Sequence, residues 1–283
     1  MQLSLSAKII VVTGLVIILV LAVIAIFAPL IAPYDPTIGE LSERLKPPCW
    51  QEGGSRDHIL GTDTLGRDVL SRLIYGTRTS LTVAVIAILI AGSIGSLLGI
   101  TAGYLGGWVD TVIMRLTDLA FSFPTILLAL VLAFVLGPSF FNIILVISLV
   151  LWVEYARMAR GEALKIRGMD YVALAQVAGC SKIRIMLRHI LPNVASSLIV
   201  LATLQVGMVI VLESSLSFLG VGVPPPDPDW GSMVAGGRSY IFSAWWLSAV
   251  PGVAIVITVL SFNLLGDTLT EYINPSLRRQ GGW

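Results

Sequence analysis

Six apolar runs, each close to or above the roughly 18 to 20 residues that carry an α-helix across a bilayer, divide this chain and dictate its plan. They cover Ile9 to about Ala32, Leu81 to about Tyr104, roughly Val112 to Leu136, roughly Phe140 to Ala156, Val194 to about Leu216, and Ala249 to about Leu269. The first follows only MQLSLSAK and is too long for a signal-peptide core, which is usually about 7 to 15 residues, so it reads as a retained span. The sequence thus predicts an all-α, polytopic membrane protein with six transmembrane helices and both termini on one side. A mean hydropathy of +0.90 and only 12% charged residues agree with this plan.

Lys and Arg near spans stay preferentially cytoplasmic. The segment 157–192 carries seven of them, Arg157, Arg160, Lys165, Arg167, Lys182, Arg184 and Arg188, against two acids, with Lys8, Arg278 and Arg279 on the same side. This places both termini and that segment in the cytoplasm. The loop 33–80 then lies outside, its Arg44, Lys46, Arg56, Arg67, Arg72 and Arg78 offset by seven acids. A net charge of +1 argues against a nucleic-acid partner. Cys49 and Cys180 fall on opposite faces, which predicts no disulfide between them. His58 and His189 are likewise separated, so no metal site is expected from that pair.

Between the fourth and fifth runs lies a charged, amphipathic island, Gly168 to Pro192. Asp170 is placed to cap a short helix, Tyr171 to Ala178, whose Ala173, Ala175 and Ala178 leave a thin face for close approach by another protein. Gly179 ends it, because a residue past a helix end often turns left-handed at no cost to glycine. Ser181 caps a second helix carrying Lys182, Arg184 and Arg188 beside Ile183, Met186, Leu187 and Ile190, and Pro192 stops its simple continuation. Two helices, an elbow and a proline boundary make a compact plug between two spans. The pattern alone suits an ordinary cytoplasmic loop equally well.

The stretch from His58 to Leu81 puts Leu65, Val69, Leu70, Leu73 and Ile74 at helical spacing, with Arg67, Asp68 and Arg72 available to pair at neighbouring turns. It reads as an interfacial helix packed on the bundle, punctuated by Gly61, Gly66 and Gly76. In the second span Gly92, Gly95, Gly99 and Gly103 form a small-residue stripe, suited to packing within this subunit or against a second one. Arg115 and Asp118 read as an interfacial pair at i, i+3 spacing or, if buried within the span, as transport-path residues. Pro224, Pro225, Pro226 and Pro228 forbid helix and pre-set extended backbone in the loop from Gly220 to Trp246. That loop, with Asp227, Asp229 and Trp230, is expected either to gate the outer mouth and touch an external protein, or to be a surface loop anchored by Trp245 and Trp246. Glu213 is a candidate pathway residue or an interfacial acid.

The motifs GTDTLGRD and SRLIYGTRTSL, followed in order by FSFPTILLAL, DYVALAQVAG with HILPN, SLSFLGVGVPPPDPDWG and FNLLGDTL, span nearly the whole length. On these residues the chain resembles the permease subunits of ATP-driven importers for di- and oligopeptides and for nickel, specifically the C-type partner. The resemblance implies a type I ABC importer permease fold in the prokaryotic plasma (inner) membrane, with 1–80 holding the first span and an external segment and 81–283 a five-helix core. It implies as partners a homologous second permease, two ABC ATPase subunits and an external or periplasmic solute-binding protein. It implies no cofactor in this chain, with ATP and Mg held by the ATPases; the chain has no G-x-x-x-x-G-K-[ST] sequence of its own.

By the same resemblance the segment 168–192 is the coupling element that docks into an ATPase groove, with Asp170, Tyr171, Ala173, Ala175, Gly179, Arg184, His189 and Pro192 as its residues. Ala173 stands where the general pattern has Glu, Leu174 where it has Ala, and His189 where it has Ile, so the dock is expected to be more apolar. Gly61, Thr62, Asp63, Gly66, Arg67, Asp68, Arg72 and Arg78 form the external family motif, and Glu213, Asp227 and Trp230 are pathway or gate candidates. The implied function is an alternating-access pathway for di- or oligopeptides, with nickel or a nickel chelate as the alternative cargo. A different class, an ion-coupled secondary transporter, needs ionisable residues buried at mid-span, for which Asp118, Glu213 and Asp267 are the candidates.

Overall fold

The computed structural model describes residues 5–273, with side chains from 11 to 270. Arg278 and Arg279 and the side chain of Lys8 lie outside the described residues. The first apolar run is α1 (Leu5–Ile31), which carries Pro29 and departs from helical geometry at Phe27. Then follow α2 (Val69–Leu105), α3 (Gly107–Phe121), α4 (Thr125–Leu136), α5 (Phe140–Arg167), α6 (Asp170–Val177), α7 (Lys182–Ile185), α8 (Leu191–Phe218), α9 (Trp230–Gly237) and α10 (Trp246–Ile273). Among the described residues five helices are long and apolar enough to cross a membrane, six if the bent pair α3 and α4 counts as one span.

That bent pair corrects the expectation of one helix over Val112 to Leu136. α3 and α4 meet at 91°. Pro124 follows Phe123, where the residue before a proline is driven out of the helical region, and the chain turns at Ser122–Pro124. The interfacial helix expected before the second span is also corrected. Val69 to Leu81 is continuous with the span, so α2 runs 37 residues without a break.

The chain forms two compact units, each assembled from separate stretches of the sequence. One comprises the described residues of Met1–Val85, Leu130–Leu145 and Val206–Leu265, the other those of Ile86–Ala129, Val146–Gln205 and Gly266–Trp283.

Within the second unit the glycine stripe of α2 lies against α5, which resolves the two readings of that stripe in favour of packing within the subunit. A Cβ on Gly95 would strike the Trp152 carbonyl oxygen, and one on Gly99 the Ala156 carbonyl oxygen. At Gly103 it would come 2.8 Å from the Arg160 carbonyl oxygen and 2.9 Å from the Ala163 Cβ. Backbones therefore touch at this crossing, as small residues permit in membrane helices. Gly99→Ala is expected to lower the stability of the purified protein by about 1 to 3 kcal/mol through overpacking. Gly161→Ala, whose added Cβ meets nothing within 4 Å, should be neutral or slightly stabilising. Thermal unfolding in detergent compares them.

Candidate functional site

The island folds as two short helices seated on a small core. Val172 of α6, Ile185 of α7, and Ile190 and Val194 beyond it are buried with Ile100 and Tyr104 of α2 and with Ala159, Ala163 and Ile166 of α5. Burying a side chain of this size is worth about 1.5 to 3 kcal/mol, so three island residues in one core hold the pair firmly. The Gln176 side-chain amide reaches the Tyr104 hydroxyl at 3.4 Å, and the Tyr171 and His189 rings lie 6.4 Å apart, tying α6 to the segment after α7.

The opposite surface is apolar and open. Val177 is 87% exposed, Leu174 68%, Ile183 65% and Leu187 52%. Ala173 is exposed among them, whereas Ala175 is half-buried against the core, so the thin alanine face is only partly available. Lys182, Arg184 and Arg188 stand exposed around this surface.

Local geometry departs from expectation at two places. Asp170 is the first residue of α6 rather than its cap; Met169 occupies the cap position without a side-chain bond. A carboxylate there still complements the positive end of the helix dipole. Pro192 does not stop the second helix. Met186–Ile190 form a π-helical turn in which the Leu191 N–H donates to the Met186 carbonyl, and Lys182 to Phe218 is one 37-residue helix. The wider turn accommodates a proline that lacks an N–H and crowds the carbonyl four residues back. Gly179 has φ +75°, as its place after the helix requires, and the Ser181 hydroxyl accepts from the Arg184 N–H at 3.3 Å.

In the first unit most residues of the motif expected outside form a largely buried polar cluster. Asp68 Oδ2 accepts from both the N–H and the hydroxyl of Ser71 at 2.7 Å, and its Oδ1 lies 2.9 Å from His58 Nδ1. Arg67 pairs with Asp63 at 2.7 Å, and the buried Arg72 reaches Asp63 at 3.5 Å while donating to the Pro36 carbonyl at 2.9 Å. These partners replace the pairing expected among Arg67, Asp68 and Arg72. Thr62 is buried, its hydroxyl donating to the Glu43 carbonyl and its carbonyl accepting from Trp246 Nε1 at 3.3 Å. Gly61 and Gly66 adopt φ +79° and +75°, and a Cβ on Gly66 would strike the Glu40 carbonyl oxygen. Arg78 is exposed. Trp246 is therefore buried rather than an interfacial anchor; Trp245 is 39% exposed.

The pathway and gate candidates separate. Trp230 is fully buried at the start of α9, its indole N–H donating to the Leu73 carbonyl at 3.2 Å. Glu213 is also fully buried, accepting from the hydroxyls of Ser80 at 3.1 Å and Ser217 at 3.2 Å. Both are enclosed within this chain in the conformation described. Asp229, the cap of α9, accepts from the Ser232 N–H at 2.9 Å; burial pushes its carboxyl above the ordinary aspartate value, against that hydrogen bonding. Asp227 is the exposed member of the group.

Two acids of the second unit pair with arginines across helices. Asp118 meets Arg157 of α5 at 2.7 Å rather than Arg115, and the Arg157 guanidinium lies 4.1 Å from the Phe121 ring centre. Asp110 takes both branches of Arg160, with Nη2 to Oδ2 at 2.6 Å. One acid escaped the sequence reading altogether. Glu154 of α5 accepts from the Gln205 amide of α8. Its signal was a single carboxylate inside the fourth apolar run, masked by the hydropathy of its neighbours.

This arrangement of helices is the permease fold of a type I ABC importer. It matches the MetNI methionine ABC transporter in an inward facing conformation with a TM-score of 0.58, covering 72% of this chain and 97% of that chain at 16% identity. Residues 5–48 match the N-terminal TM domain of oligopeptide transport permease C, and residues 95–279 match the binding-protein-dependent transport system inner membrane component. The chain is 42% identical over 266 residues to the dipeptide transport system permease protein DppC of Haemophilus influenzae, covering 94% of this chain and 90% of that one. It is 45% identical over 268 residues to DppC of Escherichia coli, covering 95% and 89%. The chain belongs to the family of binding-protein-dependent transport system inner membrane components, as a multi-pass C-type permease.

Proposed function

We propose that this chain pairs with a homologous permease to form an alternating-access pathway for di- or oligopeptides, driven by two cytoplasmic ATPases that carry the ATP and Mg and fed by an external solute-binding protein. The observation that carries the coupling role is the exposed apolar row of Leu174, Val177, Ile183 and Leu187 on an island pinned from behind by Val172, Ile185 and Ile190. Such a row seats in a groove of a partner. Because α5 ends two residues before α6, and α8 continues directly from α7, movement of the docked pair is passed straight to two spans. Docking on ATPases requires the island, and with it both termini, to be cytoplasmic, as the Lys and Arg bias indicates. The peptide cargo follows the names of the relatives.

The test is ATP-driven uptake into proteoliposomes holding the complete complex and its binding protein, comparing a labelled dipeptide, a longer peptide and nickel. Each arm is repeated with Gly179→Pro, since proline cannot adopt φ +75° and also loses the N–H that donates to the Gln176 carbonyl at 3.0 Å. Peptide uptake that depends on ATP and is lost in the variant, with the complex still assembled, is the expected result. Uptake of nickel alone would move the cargo to the metal, and uptake without any ATPase would make the chain an ion-coupled carrier.

A further inference from the structure

One stripe of α5 changes character at Glu154. Ile143, Ile147 and Val150 are buried along it, Glu154 is half-buried, and Met158, Gly161 and Lys165 are half-buried or exposed. These positions recur at spacings of three and four, so they share one face of the helix. α8 changes at the same level. Leu191, Ala195, Leu198 and Ala202 are half-buried, whereas Gln205, Val209, Leu212 and Leu216 are buried. Those four half-buried residues line a cavity of about 390 Å³ with Gly92, Ser93 and Ser96 of α2 and Tyr155 of α5. Glu154 and Gln205 join α5 to α8 by a hydrogen bond. Glu154 adjoins Tyr155, which lines this recess, and lies within the α5 span, where a charged group is costly unless water or a cation reaches it.

Gln205 supplies a neutral donor and leaves the second oxygen of Glu154 without a cationic neighbour among the contacts of the described residues. The buried Tyr155 hydroxyl beside it is also without a hydrogen-bond partner among the described residues. A solute with an ammonium group and further hydrogen-bond donors and acceptors matches this set. Resting on the peptide reading above, we propose that Glu154, oriented by Gln205, is the carboxylate that receives the substrate's α-ammonium group as it passes through the membrane. Tyr155 is the adjacent polar contact. The residue thereby favours solutes with a free amino terminus within the pathway itself, beyond any selection made outside.

The experiment uses the complete complex with its binding protein in proteoliposomes and reads two rates together, labelled dipeptide taken up and ATP hydrolysed. Glu154→Gln keeps the side-chain size and a hydrogen bond to Gln205 while removing the charge. It is expected to lower the peptide carried per ATP by about tenfold or more, with stimulated ATP hydrolysis retained, and Glu154→Asp should recover part of the loss. A tenfold change corresponds to about 1.4 kcal/mol. A merely structural role would lower assembly and ATP hydrolysis along with uptake, for Gln and Asp alike, and that pattern overturns the proposal. Unchanged peptide per ATP in Glu154→Gln also overturns it. A wild-type complex that hydrolyses ATP yet carries no dipeptide would instead sink the peptide reading on which the proposal stands.

Discussion

Trp230→Ala is expected to destabilise the permease by about 3 to 5 kcal/mol, the usual cost of emptying a fully buried aromatic site. Three features place it in that range. The indole is wholly enclosed, its N–H is satisfied by the Leu73 carbonyl, and a Cβ on Gly76 would come 2.8 Å from its Cδ1, so α2 is shaped around the ring. Collapse is limited because the surrounding helices are fixed elsewhere, by Asp229 capping α9 and by the Trp246 indole bonded to Thr62. Trp230→Phe should retain most of the packing and lose chiefly the hydrogen bond, at a cost of about 1 kcal/mol. Thermal unfolding of the purified protein in detergent separates the two. An alanine variant as stable as wild type would show that the site relaxes freely and that the close contact with α2 carries little energy.

Leu174→Asp combined with Val177→Asp is expected to lower ATP-driven uptake by about 100-fold while leaving the permease folded. Exposed substitutions away from special geometry usually shift stability by no more than about 0.5 kcal/mol, and Val177 and Leu174 are 87% and 68% exposed. Two carboxylates introduced at the centre of a desolvated dock should cost on the order of 3 kcal/mol of association, as for interface hot spots. Co-purification of the ATPases with the variant permease measures the loss directly. Val172→Asp, aimed into the core with Ile100 and Tyr104, is the contrast: it should fail by unfolding the island. If the double variant keeps its ATPases and transports normally, the apolar row is not the dock.

What the sequence revealed and what it hid divide along a physical line. Apolar runs of bilayer length, the left-handed Gly179 and the Ser181 cap depend on residues close together, and all three were legible. Asp118 was matched to Arg115 because only neighbours are visible in a sequence; its partner Arg157 is 39 residues away. Pro192 looked like a stop because proline usually is one, and only the wide turn at Met186–Ile190 allows the helix through. Glu213 near an outer span end and Trp230 in the proline-rich loop read as pathway or gate candidates, while their partners Ser80 and Leu73 lie 133 and 157 residues away and were not visible. Glu154 was lost for the opposite reason, since one acid hardly changes the average over a long apolar window.

The seam between α2 and α5 has a consequence for how the second unit can respond to force. Gly95, Gly99 and Gly103 face carbonyl oxygens and the Cβ atoms of Tyr155, Ala159 and Ala163, which no side-chain torsion can move. An interface of leucines absorbs a small displacement by switching rotamers; this one has no such slack. On the proposed coupling role, a push delivered to α5 through the island would be borne directly by α2, and sliding in the transport cycle would fall to other faces of these helices.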